Sequence, residues 1–240
     1  MSAQQTLPTR GSLQLCRLAA LLTGLGWLLS ALAQTPPSDF ELTSYTGLFR
    51  AVVQQDDEAL AQALESTTNI DQRDDHGRSA LHLAAFRGNH AAMRKLVAAG
   101  ADANALENDF YDILTIAAVA NDLETLRLAL QLGCKPGNVT SRYQGTALIA
   151  AAHLGHVEIV QTLIDAGAPL DHVNNLNWTA LIESIVLGDG GARHTATLKA
   201  LVDAGADVNL ADGRGSTPLQ LARTYGYRDM IQILQAAGAK

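Results

Sequence analysis

Cysteine is scarce in this chain of 240 residues, with only Cys16 and Cys134 present. A lone cysteine left after any N-terminal processing cannot form an internal disulfide, so the fold must be held by packing. Aromatic residues make up only 5% of the chain and prolines number six. Alanine and leucine supply most of the apolar content, which suits closely stacked helices better than a sheet sandwich. Basic residues are also in deficit, 17 against 24 acidic ones. That balance argues against nucleic acid or anionic lipid as a partner, since both require a basic footprint. Catalytic signatures are missing as well. There is no Walker loop, no G-x-G-x-x-G after a strand, no G-x-S-x-G elbow and no H-E-x-x-H. His153 and His156 lie three apart, but Gly155 separates them and no cysteine or carboxylate sits at ligand spacing. No metal, cofactor or catalytic residue is therefore expected.

Residues 1–33 differ from the rest. Arg10 and Arg17 are their only charges, and residues 18–33 (LAALLTGLGWLLSALA) are apolar. Ala31-Leu32-Ala33 matches a small-x-small cleavage pattern, so this stretch reads as a signal peptide cut after Ala33. The competing expectation is an uncleaved membrane anchor, for which sixteen apolar residues are short. Cys16 precedes the apolar run, which does not suit lipoprotein acylation. Cleavage removes two arginines and no acid, leaving a net charge of −9. Residues 34–45, with Pro36 and Pro37, read as an exposed linker.

What the remainder holds is repetition. In residues 145–171 (GTALIAAAHLGHVEIVQTLIDAGAPLD), Thr146 stands at a helix N-cap, Gly155 breaks the first helix, and Gly167 ends a second one. Val157, Ile159, Val160, Leu163 and Ile164 give that second helix a wide apolar face. Two helices this short cannot bury such a face alone, so neighbours must stack on them. Positions equivalent to Thr146 recur at Thr46, Ser79, Asp112, Thr179 and Thr217, with spacings of 33, 33, 34, 33 and 38. The closing glycine recurs as Gly100, Gly133, Gly205 and Gly238, and the apolar residue two after the marker as Leu48, Leu81, Leu114, Leu148, Leu181 and Leu219.

This pattern, with the stretches SALHLAAFRGNHAAMRKLVAAGADAN and STPLQLARTYGYRDMIQILQAAGA, resembles the ankyrin repeat from residue 46 to the C-terminus. The departures are that only His82 keeps the motif histidine, only Pro218 keeps its proline, and the first repeat lacks the helix-two glycine. The resemblance implies an all-α solenoid of six helix-turn-helix repeats, with β-hairpin fingers projecting between them. It also implies a binding scaffold with a protein partner. The first and last repeats are more polar, as terminal caps are. Cys134 takes the alanine slot after Gly133 and reads as a small buried residue. The fifth repeat carries five extra residues, placed at 188–194 and expected to form a flexible loop.

In the resembled family the concave side is lined by fingers and first helices. Aromatic and arginine side chains dominate interfaces, so the candidate contact residues are Arg78, Phe110, Tyr111, Arg142, Tyr143 and Trp178 on the fingers, with Phe86 and Arg87 on a first helix. Arg73, His153, Leu154 and Glu183 are further positions that could face the groove. Tyr111 and Trp178 each precede their marker by one residue and should project alike. For Phe110, folding back to brace its hairpin is favoured over contact. Phe110 and Gln144 replace the usual turn glycine, so their two fingers are expected to turn differently. The expectation is an exported, periplasmic or secreted monomer that binds a protein and, once cleaved, no membrane. Stress protection or neutralisation of a toxin as an immunity protein are the roles the resemblance allows. A site on the insertion using Asp189, Arg193 or His194 is the enzyme alternative.

Overall fold

The computed structural model describes residues 35–240, so the signal-peptide reading lies outside the described residues. Residues 36–240 form one compact unit. Among the described residues there are thirteen helices and no strand. A short helix, α1 (Asp39–Ser44), comes first. Six helix pairs follow. They are α2 (Gly47–Gln54) with α3 (Asp57–Ser66), α4 (Ala80–Phe86) with α5 (His90–Ala98), and α6 (Ile113–Ala120) with α7 (Leu123–Gln131). Then come α8 (Ala147–Leu154) with α9 (Val157–Asp165), α10 (Ala180–Val186) with α11 (Ala192–Asp203), and α12 (Pro218–Tyr225) with α13 (Arg228–Ala236). Each first helix packs on the first helix of the next repeat along the whole array.

The markers act as helix caps. The Thr146, Thr179 and Thr217 hydroxyls accept from the backbone N–H three residues on, and the Asp112 carboxylate does the same with Thr115. Thr217 adds a reciprocal bond, its N–H donating to the Gln220 side chain. Between the caps, alanines such as Ala84, Ala85, Ala117, Ala118, Ala151 and Ala152 are buried, letting adjacent first helices approach closely. Thr46 caps by backbone geometry alone, with no side-chain bond, in a repeat whose second helix buries only Leu60.

A second stitch lies at the turn between paired helices. Asn89 donates to the Val52 carbonyl, His156 Nδ1 to Ala118, and the Tyr227 hydroxyl to Gly188. Each side chain ties its turn to the end of the first helix in the preceding repeat or to the turn just after it. Cys134 is buried in its alanine slot, its thiol donating to the Ala103 carbonyl, and burial pushes its pKa up.

Three expectations are corrected here. The linker at 34–45 contains α1: Pro36 and Pro37 stay outside it, but Ser38 caps the helix and Glu41 bonds back to the Ser38 N–H. The 188–194 insertion is not a loose loop. Residues 187–191 form a turn and the rest lengthens α11 to 12 residues, where the other second helices have 9 or 10. The fingers carry no strand ladder. They are single turns, with one isolated bridge, Thr140–Gly145.

Candidate protein-binding surface

The fingers are built from one device. In four of them a polar side chain accepts two backbone N–H groups across the turn. Asp74 takes those of His76 and Arg78, Glu107 those of Asp109 and Tyr111, Asn174 those of Leu176 and Trp178, and Asp212 those of Arg214 and Ser216. The residue two before each marker then takes a positive φ. Gly77, Asn177 and Gly215 do so, and Phe110 does so as well, at 66°. Phe110 therefore keeps the common turn, against expectation, because the Glu107 carboxylate holds both N–H groups in place. The finger ending at Gln144 does differ: Ser141 also takes a positive φ, and the turn closes on the Thr140–Gly145 bridge. Adjacent fingers are joined by backbone bonds, Asn108 N–H to His76, Ser141 N–H to Phe110, and Asn175 N–H to Tyr143. The result is a connected row rather than independent loops.

The candidate contact residues divide on this row. Arg78 is 1% exposed, and its guanidinium is surrounded by Asp74 (2.7 Å), the Tyr45 hydroxyl (3.0 Å) and the Glu41 carboxylate. Glu41 arrives on α1, so Arg78 is an internal clasp and not a contact. Burial pushes the Glu41 carboxyl up, but hydrogen bonds from Ser38 and the Arg78 guanidinium prevail and hold it at about 2. Tyr111 is 7% exposed and sits in the core, where burial raises its phenol to about 12. It does not project like Trp178, which is half-buried. Tyr143 is half-buried and Phe110 is 51% exposed. Phe110 is the most exposed of these finger aromatics. Arg142 is exposed and pairs with Asp109 of the preceding finger. Arg73 donates to the Gly77 and Leu106 carbonyls, spanning two fingers.

On the first helices, Phe86 is half-buried and packs against the core, while Arg87 is exposed. The same two places recur in later repeats as Val119-Ala120, His153-Leu154, Val186-Leu187 and Thr224-Tyr225, each pair half-buried or exposed while the positions before them are mostly buried. This gives a strip of mainly apolar side chains along the C-terminal ends of the first helices. Leu187 and Tyr225 were missed from the sequence, although stepping the Phe86-Arg87 pair by the repeat period reaches them. Glu183 is not on the strip's surface: it is 2% exposed.

The histidines are structural members. His82 Nδ1 accepts the Ser79 N–H and Nε2 reaches the Ala105 carbonyl at 3.0 Å, with burial lowering its pKa to about 4. His90 bonds Thr125, His172 bonds the Gln144 carbonyl, and His76 pairs with Glu41. His194 of the insertion is buried, with Nδ1 on Asp189 and Nε2 on the His153 carbonyl. Both ring nitrogens are thus engaged, tying the insertion to the repeat before it. No group of three His, Cys, Asp or Glu able to hold a metal occurs among the described residues.

Comparison with known proteins agrees with this architecture. The family model for ankyrin repeats (3 copies) matches residues 48–138 and 114–212. The chain is similar to the ankyrin repeat protein YahD of Escherichia coli (strain K12), 35% identical over 205 residues that cover 85% of this chain and 97% of that protein. It is similar to the crystal structure of an ankyrin repeat domain from Acinetobacter baumannii AYE, with 45% identity, a TM-score of 0.76, and coverage of 80% of this chain and 98% of that one. The fold also matches, at 19% identity and a TM-score of 0.66, a chain in the complex of a predatory endopeptidase from Bdellovibrio bacteriovorus with an immunity protein, covering 80% of this chain and 98% of that one. With its six registers, its capping markers and these relatives, the chain belongs to the ankyrin-repeat family.

Proposed function

We propose that the protein is an exported binding scaffold that holds one protein partner along the finger row and the first-helix strip, without catalysis of its own. The observation that carries this is the row itself. Phe110, Tyr143 and Trp178 present aromatic surface on fingers pinned to one another by backbone bonds. Rigid aromatic anchors bind with little loss of side-chain entropy. Export rests on residues 1–33, whose charges, apolar run and Ala-x-Ala pattern suit a cleaved signal. Sequencing the N-terminus of protein from its native host tests it: a start at Gln34 is expected, and an intact Met1 would replace export with anchoring. The scaffold reading is tested by affinity capture from host periplasmic extract, with a matched bait carrying Phe110→Ala, Tyr143→Ala and Trp178→Ala. One protein enriched by the first bait and lost with the second supports the surface. Equal enrichment by both moves the site elsewhere.

A second reading is neutralisation of a toxin as an immunity protein. It is favoured by the fold-level match to the endopeptidase–immunity complex. An immunity protein would capture nothing from resting extract and would bind its toxin with subnanomolar affinity, whereas a resident scaffold in stress protection would bind more weakly.

A further inference from the structure

Four residues after the marker, the second, third, fourth and sixth repeats carry Leu83, Ile116, Ala150 and Leu221, and the fifth carries Glu183. An acid thus stands where four of its counterparts are apolar. Its Oε1 accepts from Asn174 Nδ2 at 2.9 Å. Its Oε2 is buried and accepts no hydrogen bond. An unsatisfied buried oxygen weakens a fold, and a leucine in its place would remove that cost. The neighbouring group is His153, with Nδ1 3.6 Å from Oε2, too long for a hydrogen bond. Burial, together with His194 and His156, lowers the His153 pKa to about 4, so the ring brings no charge to the acid at neutral pH. Burial also raises the Glu183 carboxyl to about 8. His153 itself stands half-buried on the first-helix strip, so the oxygen lies one ring beneath that surface. Asn174 holds the backbone N–H of Trp178 with its carbonyl and Glu183 with its amide, which ties the acid to the backbone of the finger that carries Trp178.

We propose that Glu183 Oε2 anchors a lysine or arginine carried on an apolar stretch of the protein partner, seated at His153 next to the finger that carries Trp178. The inference rests on the scaffold reading above. Three features of the structure choose this occupant. The free group is an acid, so its complement is a cation with donors to give. The flanking strip positions, Val119, Leu154, Val186 and Leu187, are apolar, so the cation must arrive on apolar neighbours. The finger tied to the acid through Asn174 carries Trp178, an aromatic of the type that attracts cationic side chains. On docking, the His153 ring turns aside, the carboxyl gives its proton to solvent, and the cation pairs with the carboxylate under cover of the partner. A buried ion pair discriminates strongly because either partner alone is left uncompensated.

The test uses the full chain with Trp27→Phe, which leaves Trp178 as its one tryptophan. Two pentapeptides are titrated at pH 7, acetyl-Leu-Leu-Arg-Leu-Leu-amide and the same peptide with glutamine for arginine, reading tryptophan fluorescence and, by calorimetry in two buffers, proton release. The arginine peptide is expected to bind about tenfold tighter and to release a proton. Both the preference and the proton release should vanish in Glu183→Gln and in Glu183→Leu, which restores the apolar residue type of the second, third, fourth and sixth repeats. Equal binding of the two peptides, a preference that survives in both variants, or no binding of the arginine peptide at millimolar concentration would overturn the anchor. The capture experiment reads the scaffold separately: a partner lost with the finger variants but held equally by Glu183→Leu bait retires the anchor and leaves the scaffold standing.

Discussion

His82 shows how much one side chain carries. Its ring accepts the Ser79 N–H at the start of α4 and reaches the Ala105 carbonyl 23 residues on. His82→Ala should cost about 2–4 kcal/mol through a cavity and two orphaned backbone groups, measurable by urea denaturation. Its acid–base behaviour has a defined sign. Burial drops its pKa from 6.5 to about 4, so the unfolded chain binds a proton in that window that the folded chain refuses. The stability His82 supplies at neutral pH is therefore lost as pH falls from 6.5 toward 4. Glu183 runs the other way. Its pKa rises from 4.5 to about 8, so the folded chain keeps a proton the unfolded chain releases, and stability falls as pH climbs through that window. Glu183→Gln should remove a decline of about 1 kcal/mol per pH unit between 6.5 and 8, read from denaturation midpoints across that range. The sequence pointed to a structural role for His82 because it sits in the motif's own place. It placed Glu183 only as a groove position, since nothing local says which face of α10 the next repeat covers.

At the scale of elements, α1 and the fifth repeat gain their structure from distant partners. α1 is six residues long, too short to persist alone in water. It is held by the pairing of Glu41 with Arg78, 37 residues away. Arg78→Ala should release α1 and leave the largely buried Asp74 carboxylate uncompensated, costing about 3–5 kcal/mol. Hydrogen exchange should show residues 39–44 losing protection before the rest of the chain. In the fifth repeat, a Cβ on Gly188 would stand 2.0 Å from the Ser184 carbonyl oxygen, and one on Gly190, at φ 68°, 2.2 Å from the Tyr227 ring. Gly190→Ala is expected to cost about 2–4 kcal/mol by thermal melting, from strain plus overpacking. Gly191→Ala, whose Cβ meets only the movable Asp189 side chain, should cost far less. Three glycines in seven residues suggested looseness from sequence. In the fold, two of them are the only residues that fit between packed neighbours.

Across the whole array, each repeat contacts only its neighbours, so stability accumulates along the stack. The proposed interaction face lies on residues that the stack leaves half-buried or exposed. Changing Tyr143 and Trp178 together to alanine should shift the melting temperature by only a few degrees, while the binding of any captured partner falls at least tenfold. A larger loss of stability would mean that these rings brace the fingers.

The sequence by itself determined the period, the capping residues, the closing glycines and hence the family. These are local requirements: a helix N-cap needs a short side-chain acceptor and a helix end needs glycine, whatever lies nearby. Only the tertiary structure decided which finger residues face outward. Arg78, Tyr111 and Trp178 share one register position, yet Arg78 is roofed by α1 and Tyr111 is enclosed by the core, while Trp178 stays half-open. Register fixes where a side chain starts along the repeat. Its exposure is set by what chain segments from other repeats place over it, and that information is not local.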